Sequence, residues 1–207
     1  MATLMIAASR IPSAMSFVED TFADMDGTLL QNHTGELGAT WTRHPARVAD
    51  FDIQSERVRS LAGVSERTLY YASGDPPGAD YHATAILTWV AGPDDSEAGP
   101  TVRTNATAET HYNATLRIST AAVALGKHVA GVNVALGSWS VGTPETGTDF
   151  EVTLFANGTT IIVHVDGVER ISTVDSQIAS SGRVGLRAFR GAAVTDGVHV
   201  ARIVAAE

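Results

Sequence analysis

Apolar and polar positions alternate with a period of two in one segment of this chain after another. In residues 80–90, DYHATAILTWV, the positions Tyr81, Ala83, Ala85, Leu87 and Trp89 fall on one face of an extended strand, while His82, Thr84 and Thr88 fall on the other. The alternation recurs in 16–22, 46–54, 67–72, 111–119, 127–137, 182–189 and 197–205, and no segment carries a helical period. Residues 150–174, FEVTLFANGTTIIVHVDGVERISTV, show how such strands connect. Phe150, Val152 and Leu154 alternate with Glu151 and Thr153, and the dipeptides Asn157-Gly158 and Asp166-Gly167 divide the apolar run into three. Both dipeptides accept the positive φ that a type I′ turn needs at its two central positions, so the stretch predicts a three-stranded antiparallel meander.

About eleven such strands, separated by Gly, Pro and Asp turns and without a 20–50-residue repeat, predict an all-β fold, a two-sheet antiparallel jelly-roll β-sandwich. The longest interruptions, AGPDDSEAGPTVRTNAT (91–107) and SGDPPGAD (73–80), are predicted to be rim loops, where sandwiches commonly carry their binding surfaces. At 207 residues and 44% hydrophobic content the chain fits one domain with a substantial core. Residues 1–16 are set apart as an N-terminal arm, leaving 17–207 for the sandwich. The arm's Leu4, Met5, Ile6, Ile11 and Met15 each cost roughly 1.5–3 kcal/mol if left in water rather than buried, which predicts an assembly arm crossing to a neighbouring subunit. An extra edge strand of the same domain is the alternative. The opening has no basic residue ahead of its short apolar core, so it reads neither as a secretory signal nor as a membrane span.

Charge and composition narrow the chemistry. The formal net charge of −9 argues against a nucleic-acid backbone or an anionic membrane as partner. With no cysteine there is no disulfide framework, thiolate metal site or thiol nucleophile. Four Asn-x-Ser/Thr sequons, at Asn32, Asn105, Asn113 and Asn157, are short enough to arise by chance. The chain holds no Glu-x-Asp-x-x-Glu strand to aim two carboxylates into one groove and no Gly-x-Ser-x-Gly elbow, and its seven histidines are scattered. His82, His111, His164 and His199 are read as strand-face or core residues, and the protein is expected not to be an enzyme.

FVEDTFADMDGTLLQNHTGELGATWTRH near the start, the meander above, and the closing SGRVGLRAFRG and VTDGVHVARIV together resemble the concanavalin A-like lectin/glucanase superfamily, particularly its laminin G-like branch. The DGTLL and HTGELGATWT version is also similar to domains of bacteriophage tail and fibre-type virion proteins. This resemblance implies a non-catalytic virion structural protein, a minor tail, fibre or capsid-decoration component. It would sit on the virion surface among other virion subunits as a homo-oligomer, with a lectin-like domain for host surface glycans. A secreted extracellular carbohydrate-binding module is the alternative, and a glycoside hydrolase-like enzyme comes third. No cofactor is required, but the resemblance suggests a structural calcium held by oxygen ligands from the first and last strands. By position these are Asp20, Asp24 and Asp196, with ordinary turn aspartates as the other reading.

Sugar binding calls for an aromatic face and polar groups to orient hydroxyls. Trp139, in LGSWSVG, is predicted to stand exposed in a loop and is the candidate for stacking, whereas Trp41 and Trp89 belong to the core. Arg183 and Arg187 share one face of the penultimate strand and suit either a glycan or a salt bridge.

Overall fold

A computed structural model describes residues 15–61, 66–89, 96–191 and 197–207. These residues form fifteen strands and one short 3-10 helix, Leu30–Asn32. In chain order the strands are β1 (Ser16–Asp20), β2 (Trp41–Arg43), β3 (Phe51–Ile53), β4 (Val58–Ser60), β5 (Glu66–Ala72), β6 (Tyr81–Trp89), β7 (Ser96–Thr104) and β8 (His111–Arg117). There follow β9 (Ala122–Val129), β10 (Val132–Ser140), β11 (Asp149–Asn157), β12 (Thr160–Val165), β13 (Val168–Val174), β14 (Arg183–Arg190) and β15 (Val198–Ala206). One sheet runs β13-β12-β11-β6-β15-β4-β3, with β1 also paired to β15, and the other runs β10-β9-β8-β7-β14-β5-β2. Every pairing is antiparallel, and the two sheets face each other as the predicted jelly-roll sandwich.

Alternation decides which side chains enter the space between the sheets. Tyr81, Ala83, Ala85, Leu87 and Trp89 of β6 point inward beside Phe150, Val152 and Leu154 of β11, and Tyr70, Tyr112, Leu116 and Leu186 answer from the second sheet. Trp41 and Trp89 lie in this core. Each large side chain removed from water there contributes roughly 1.5–3 kcal/mol.

The meander forms with one adjustment. Val165 pairs with Val168, leaving Asp166-Gly167 as a two-residue turn with both φ positive, +51° and +74°. The first hairpin closes one residue later than predicted. Asn157 pairs with Thr160, so Gly158-Thr159 is the turn, and only Gly158 has positive φ. A type II′ turn needs glycine at its first central position, which explains the shift.

Two other regions depart from the sequence reading. Residues 127–137 are not one strand: Val129 pairs with Val132, and Ala130-Gly131, both at positive φ, make the tight turn between β9 and β10. An alanine there gives no Asn-Gly or Asp-Gly signal. More consequentially, 91–107 is not simply a rim loop, because Ser96–Thr104 is β7, in the middle of the second sheet and buried along its whole length. Its polar residues are tolerated because partners on distant strands neutralise them. Gly99 belongs there because a Cβ would fall 1.9 Å from the Ala114 carbonyl oxygen of β8.

Candidate functional site on the outer face of the second sheet

In the second sheet the residues that alternate with the core ones point away from the sandwich, and they line up in rows across the strands. Arg67 of β5, Phe189 of β14, Glu97 of β7 and Arg117 of β8 occupy successive paired positions. The next row holds Leu69 and Arg187. Beyond it Thr101 pairs with Asn113 and Asn113 with Gly126, and further along His111 pairs with His128 and His128 with Asn133. Phe189 and Asn133 lie four strands and six residues apart, roughly 19 Å across the strands and roughly 20 Å along them on a flat sheet. Both nevertheless line one cavity of about 180 Å³ together with Arg67, Glu97 and Arg117, so the sheet curls into a trough.

The floor of the trough is polar, buried and incompletely paired. Arg187, 2% exposed, donates from Nη1 to Glu97 Oε1. Arg117 Nε lies 2.6 Å from Glu97 Oε2, and Thr115 Oγ1 is 3.4 Å from the same oxygen. Burial pushes the Glu97 carboxyl up, but the guanidinium groups of Arg187 and Arg117 outweigh this and hold it below its ordinary value. Arg187 itself is drawn down by burial, with Glu97 opposing. The rings of His111 and His128 stack at 4.7 Å with 14° between their planes. Burial pulls both below the usual histidine range, His128 to about 4, so both are neutral at pH 7. Neither ring nitrogen of His111 or His128, nor Asn113 Oδ1, nor the Nε of Arg187 or Arg67, has a hydrogen-bond partner among the described residues. Leaving such buried groups unpaired costs about 1–3 kcal/mol each, and folded proteins do so sparingly.

Arg103 shows that these open valences are not the general condition of buried arginines here. It is also 2% exposed, yet its Nε donates to Ala79 O (2.9 Å), Nη1 to Ile178 O (2.7 Å), and Nη2 to Gly158 O (2.9 Å) and Asp80 Oδ1 (3.1 Å). Arg103 ties loops together and is saturated, whereas the trough arginines keep donors to spare.

The residues singled out from sequence fall at different places. Trp139 lies on β10 rather than in a loop, half-buried at the seam where β10 meets β13, with the Arg170 guanidinium 4.3 Å from its ring centroid. The seam is tight, since a Cβ on Gly137 would come 2.7 Å from Ile171 Cγ2. Arg183, near the end of β14, pairs with Asp75 at 2.6 Å and donates to the Ser73 carbonyl. A register shift in the pairing with β7 separates it from Arg187, which alone of the three enters the trough. Sequence reasoning missed Arg67, Glu97, Asn113, Arg117 and Phe189 and read His111 as a filler. The available signal was the alternation of His111, Asn113, Thr115 and Arg117 with the core residues Tyr112, Ala114 and Leu116.

Asp20 and Asp24 are brought together, but by a histidine. His33 donates from Nε2 to Asp20 Oδ1 (2.9 Å) and from Nδ1 to Asp24 Oδ2 (3.1 Å). Asp20 also accepts from Phe22 N (2.7 Å) and Trp41 Nε1 (2.6 Å), and Asp24 Oδ1 accepts from Met25 N (2.7 Å). In this structure the two carboxylates are joined by His33, and their oxygens accept from these nitrogen donors. The third candidate, Asp196, lies outside the described residues, and no group of three or more His, Asp or Glu poised to hold a metal occurs among those described. Of the arm, Leu4, Met5, Ile6 and Ile11 also lie outside the described residues, while Met15 is exposed.

No family model matches the sequence, and no curated protein matches it. Solved structures do match the fold. The carbohydrate-binding module CBM66 from Bacillus subtilis aligns at a TM-score of 0.64 and 17% identity, covering 81% of this chain and 95% of that one. The exoplasmic/lumenal domain of VIP36 in its Ca²⁺/Man3GlcNAc-bound form aligns at 0.60 and 7% identity, covering 81% and 83%. The Bacillus licheniformis beta-glucanase aligns at 0.58 and 10% identity, covering 93% and 98%. The chain therefore has the concanavalin A-like lectin/glucanase fold.

Proposed function

We propose that the protein is a non-catalytic glycan-binding domain of a virion surface protein, and that it binds through the trough of the second sheet. The observation that carries this reading is the buried floor of Arg187, Asn113, His111 and His128 with unpaired hydrogen-bonding atoms, since hydroxyl-rich ligands are recognised by fixed donors and acceptors. Similarity to a carbohydrate-binding module and to the Man3GlcNAc-bound exoplasmic/lumenal domain of VIP36 supports it. Binding rather than hydrolysis is supported by the state of the trough carboxylate. Glu97 is clasped by Arg117 and Arg187, whereas a glycosidase needs one carboxylate to stay protonated as the acid. The virion setting rests on the resemblance of DGTLL and HTGELGATWT to phage tail and fibre components, and the arm over residues 1–16 on its apolar Leu4, Met5, Ile6, Ile11 and Met15.

A panel of immobilised neutral and acidic polysaccharides tests the reading. Gly126→Leu places a side chain between Asn113 and Asn133 and is expected to abolish retention, while Trp139→Ala and Arg183→Ala leave it intact. Retention lost in Trp139→Ala but kept in Gly126→Leu moves the site to the β10–β13 seam. Release of reducing sugar from any retained polysaccharide overturns the non-catalytic reading. Deleting residues 1–16 is expected to abolish oligomerisation and leave the sandwich folded.

A further inference from the structure

We infer that the ligand of the trough is an acidic saccharide, with the carboxylate of one sugar residue held by Arg67 and Arg117 in the cavity they share with Phe189 and Asn133; this rests on the glycan-binding reading above. The first observation is charge. The chain carries a formal net charge of −9, yet the trough gathers the three guanidinium groups of Arg67, Arg117 and Arg187 around the single carboxylate of Glu97. Even on an acidic protein, a local positive surplus attracts an anion at close range.

The second observation is that the surplus is available. Glu97 is shared by Arg187 and Arg117, and Arg67 has no ion-pair partner among the described residues, its Nε being buried without a hydrogen bond. A guanidinium presents its donors as a planar fork that matches a carboxylate, which a neutral hydroxyl cannot do.

Shape is the third. Phe189 stands between Arg67 and Glu97 in the same row, half-buried, and offers an apolar face for a sugar ring beside the charged group. The cavity, about 180 Å³, is smaller than the roughly 300–1,000 Å³ that enclose whole drug-sized ligands, and suits one ring of a longer chain.

Calorimetry on the full chain with oligogalacturonate and oligomannuronate, and with the same oligosaccharides after their carboxyl groups are reduced to alcohols, tests the inference. The acidic forms are expected to bind at least about tenfold more tightly than the reduced ones and to weaken as sodium chloride is raised. Arg67→Gln, which breaks no ion pair and leaves the fold intact, should lower acidic binding by roughly tenfold, with Arg67→Lys recovering part of it. Equal binding of acidic and reduced forms overturns the acidic assignment while leaving glycan binding in place. Binding of neither form overturns it too, and the polysaccharide panel then decides separately whether the trough binds glycan at all.

Discussion

His33 and the pair His111 and His128 are all buried, but the two regions supply opposite surroundings. Around His33, each ring nitrogen reaches a carboxylate, and Asp20 in turn collects Trp41 Nε1 and the Phe22 amide. Burial alone would lower the His33 pKa, but the hydrogen bonds to Asp20 and Asp24 outweigh it and raise it. The Asp20 carboxyl is pushed up by burial against those same donors, while Asp24 is held down chiefly by His33. Around His111 and His128 the rings meet each other, the nearby Arg187 charge and, 3.4 Å from His128 Nδ1, the Glu109 carboxylate, yet no ring nitrogen makes a hydrogen bond among the described residues. A closed polar network is what a fold uses to fix its own parts. An open one, bordered by unpaired guanidinium donors, is what a fold holds ready for something else.

Removing the keystone of the closed region gives the largest expected effect. Asp20→Ala strands the Trp41, His33 and Phe22 donors in the interior and should destabilise the protein by about 3–5 kcal/mol in urea titration. A loss below 1 kcal/mol would mean that His33 is not held as described. In the trough, by contrast, His111→Phe with His128→Phe replaces two unpaired polar rings by apolar ones and should change stability by less than about 1 kcal/mol.

Acid separates the regions by sign. His128 titrates at about 4 in the folded state and His111 well below its ordinary value, so the stability they contribute is present above pH 6.5 and is lost as pH falls toward 4. For His128 the loss is on the order of 3 kcal/mol, and the double phenylalanine variant should be spared it. The raised pKa of His33 works the other way: its contribution is full below pH 6.5 and fades as pH rises through its folded value. Urea midpoints measured from pH 4 to 9 on the wild type, His33→Gln and the double variant separate the two slopes. An identical profile for all three would remove the distinction.

The smallest effect belongs to the seam. Arg170→Ala uncovers the Trp139 ring and should cost about 0.5–1 kcal/mol with no change in glycan retention.

The sandwich was legible wherever burial is one-sided and turns are local. The alternation of β6, and of β11 to β13 with Gly158 and Asp166-Gly167, announces itself because each strand puts one face in the core. Strand β7 did not. SEAGPTVRT reads as a loop because Glu97 and Arg103 look solvated, and they are buried only because Arg187, ninety residues on, pairs with the first and loop carbonyls saturate the second. The trough was illegible for the same reason. Its rows draw one residue each from β5, β14, β7 and β8, so no window of sequence contains the site, and Arg187 was noticed without its partner. Trp139 misled because flanking glycines suggest a loop, whereas Gly137 is there to let β10 approach Ile171.

The pairing of β1 with β15 has a consequence for how such a domain travels between proteins. Ser16 and Ala206 are cross-strand partners, which places the entry and exit of the sandwich about 5 Å apart. A host chain can open at one surface point, run through the whole domain and resume where it left off, without rerouting its own fold. A jelly roll with paired end strands thus has the geometry of a cassette that can be set within a loop as readily as at a tip.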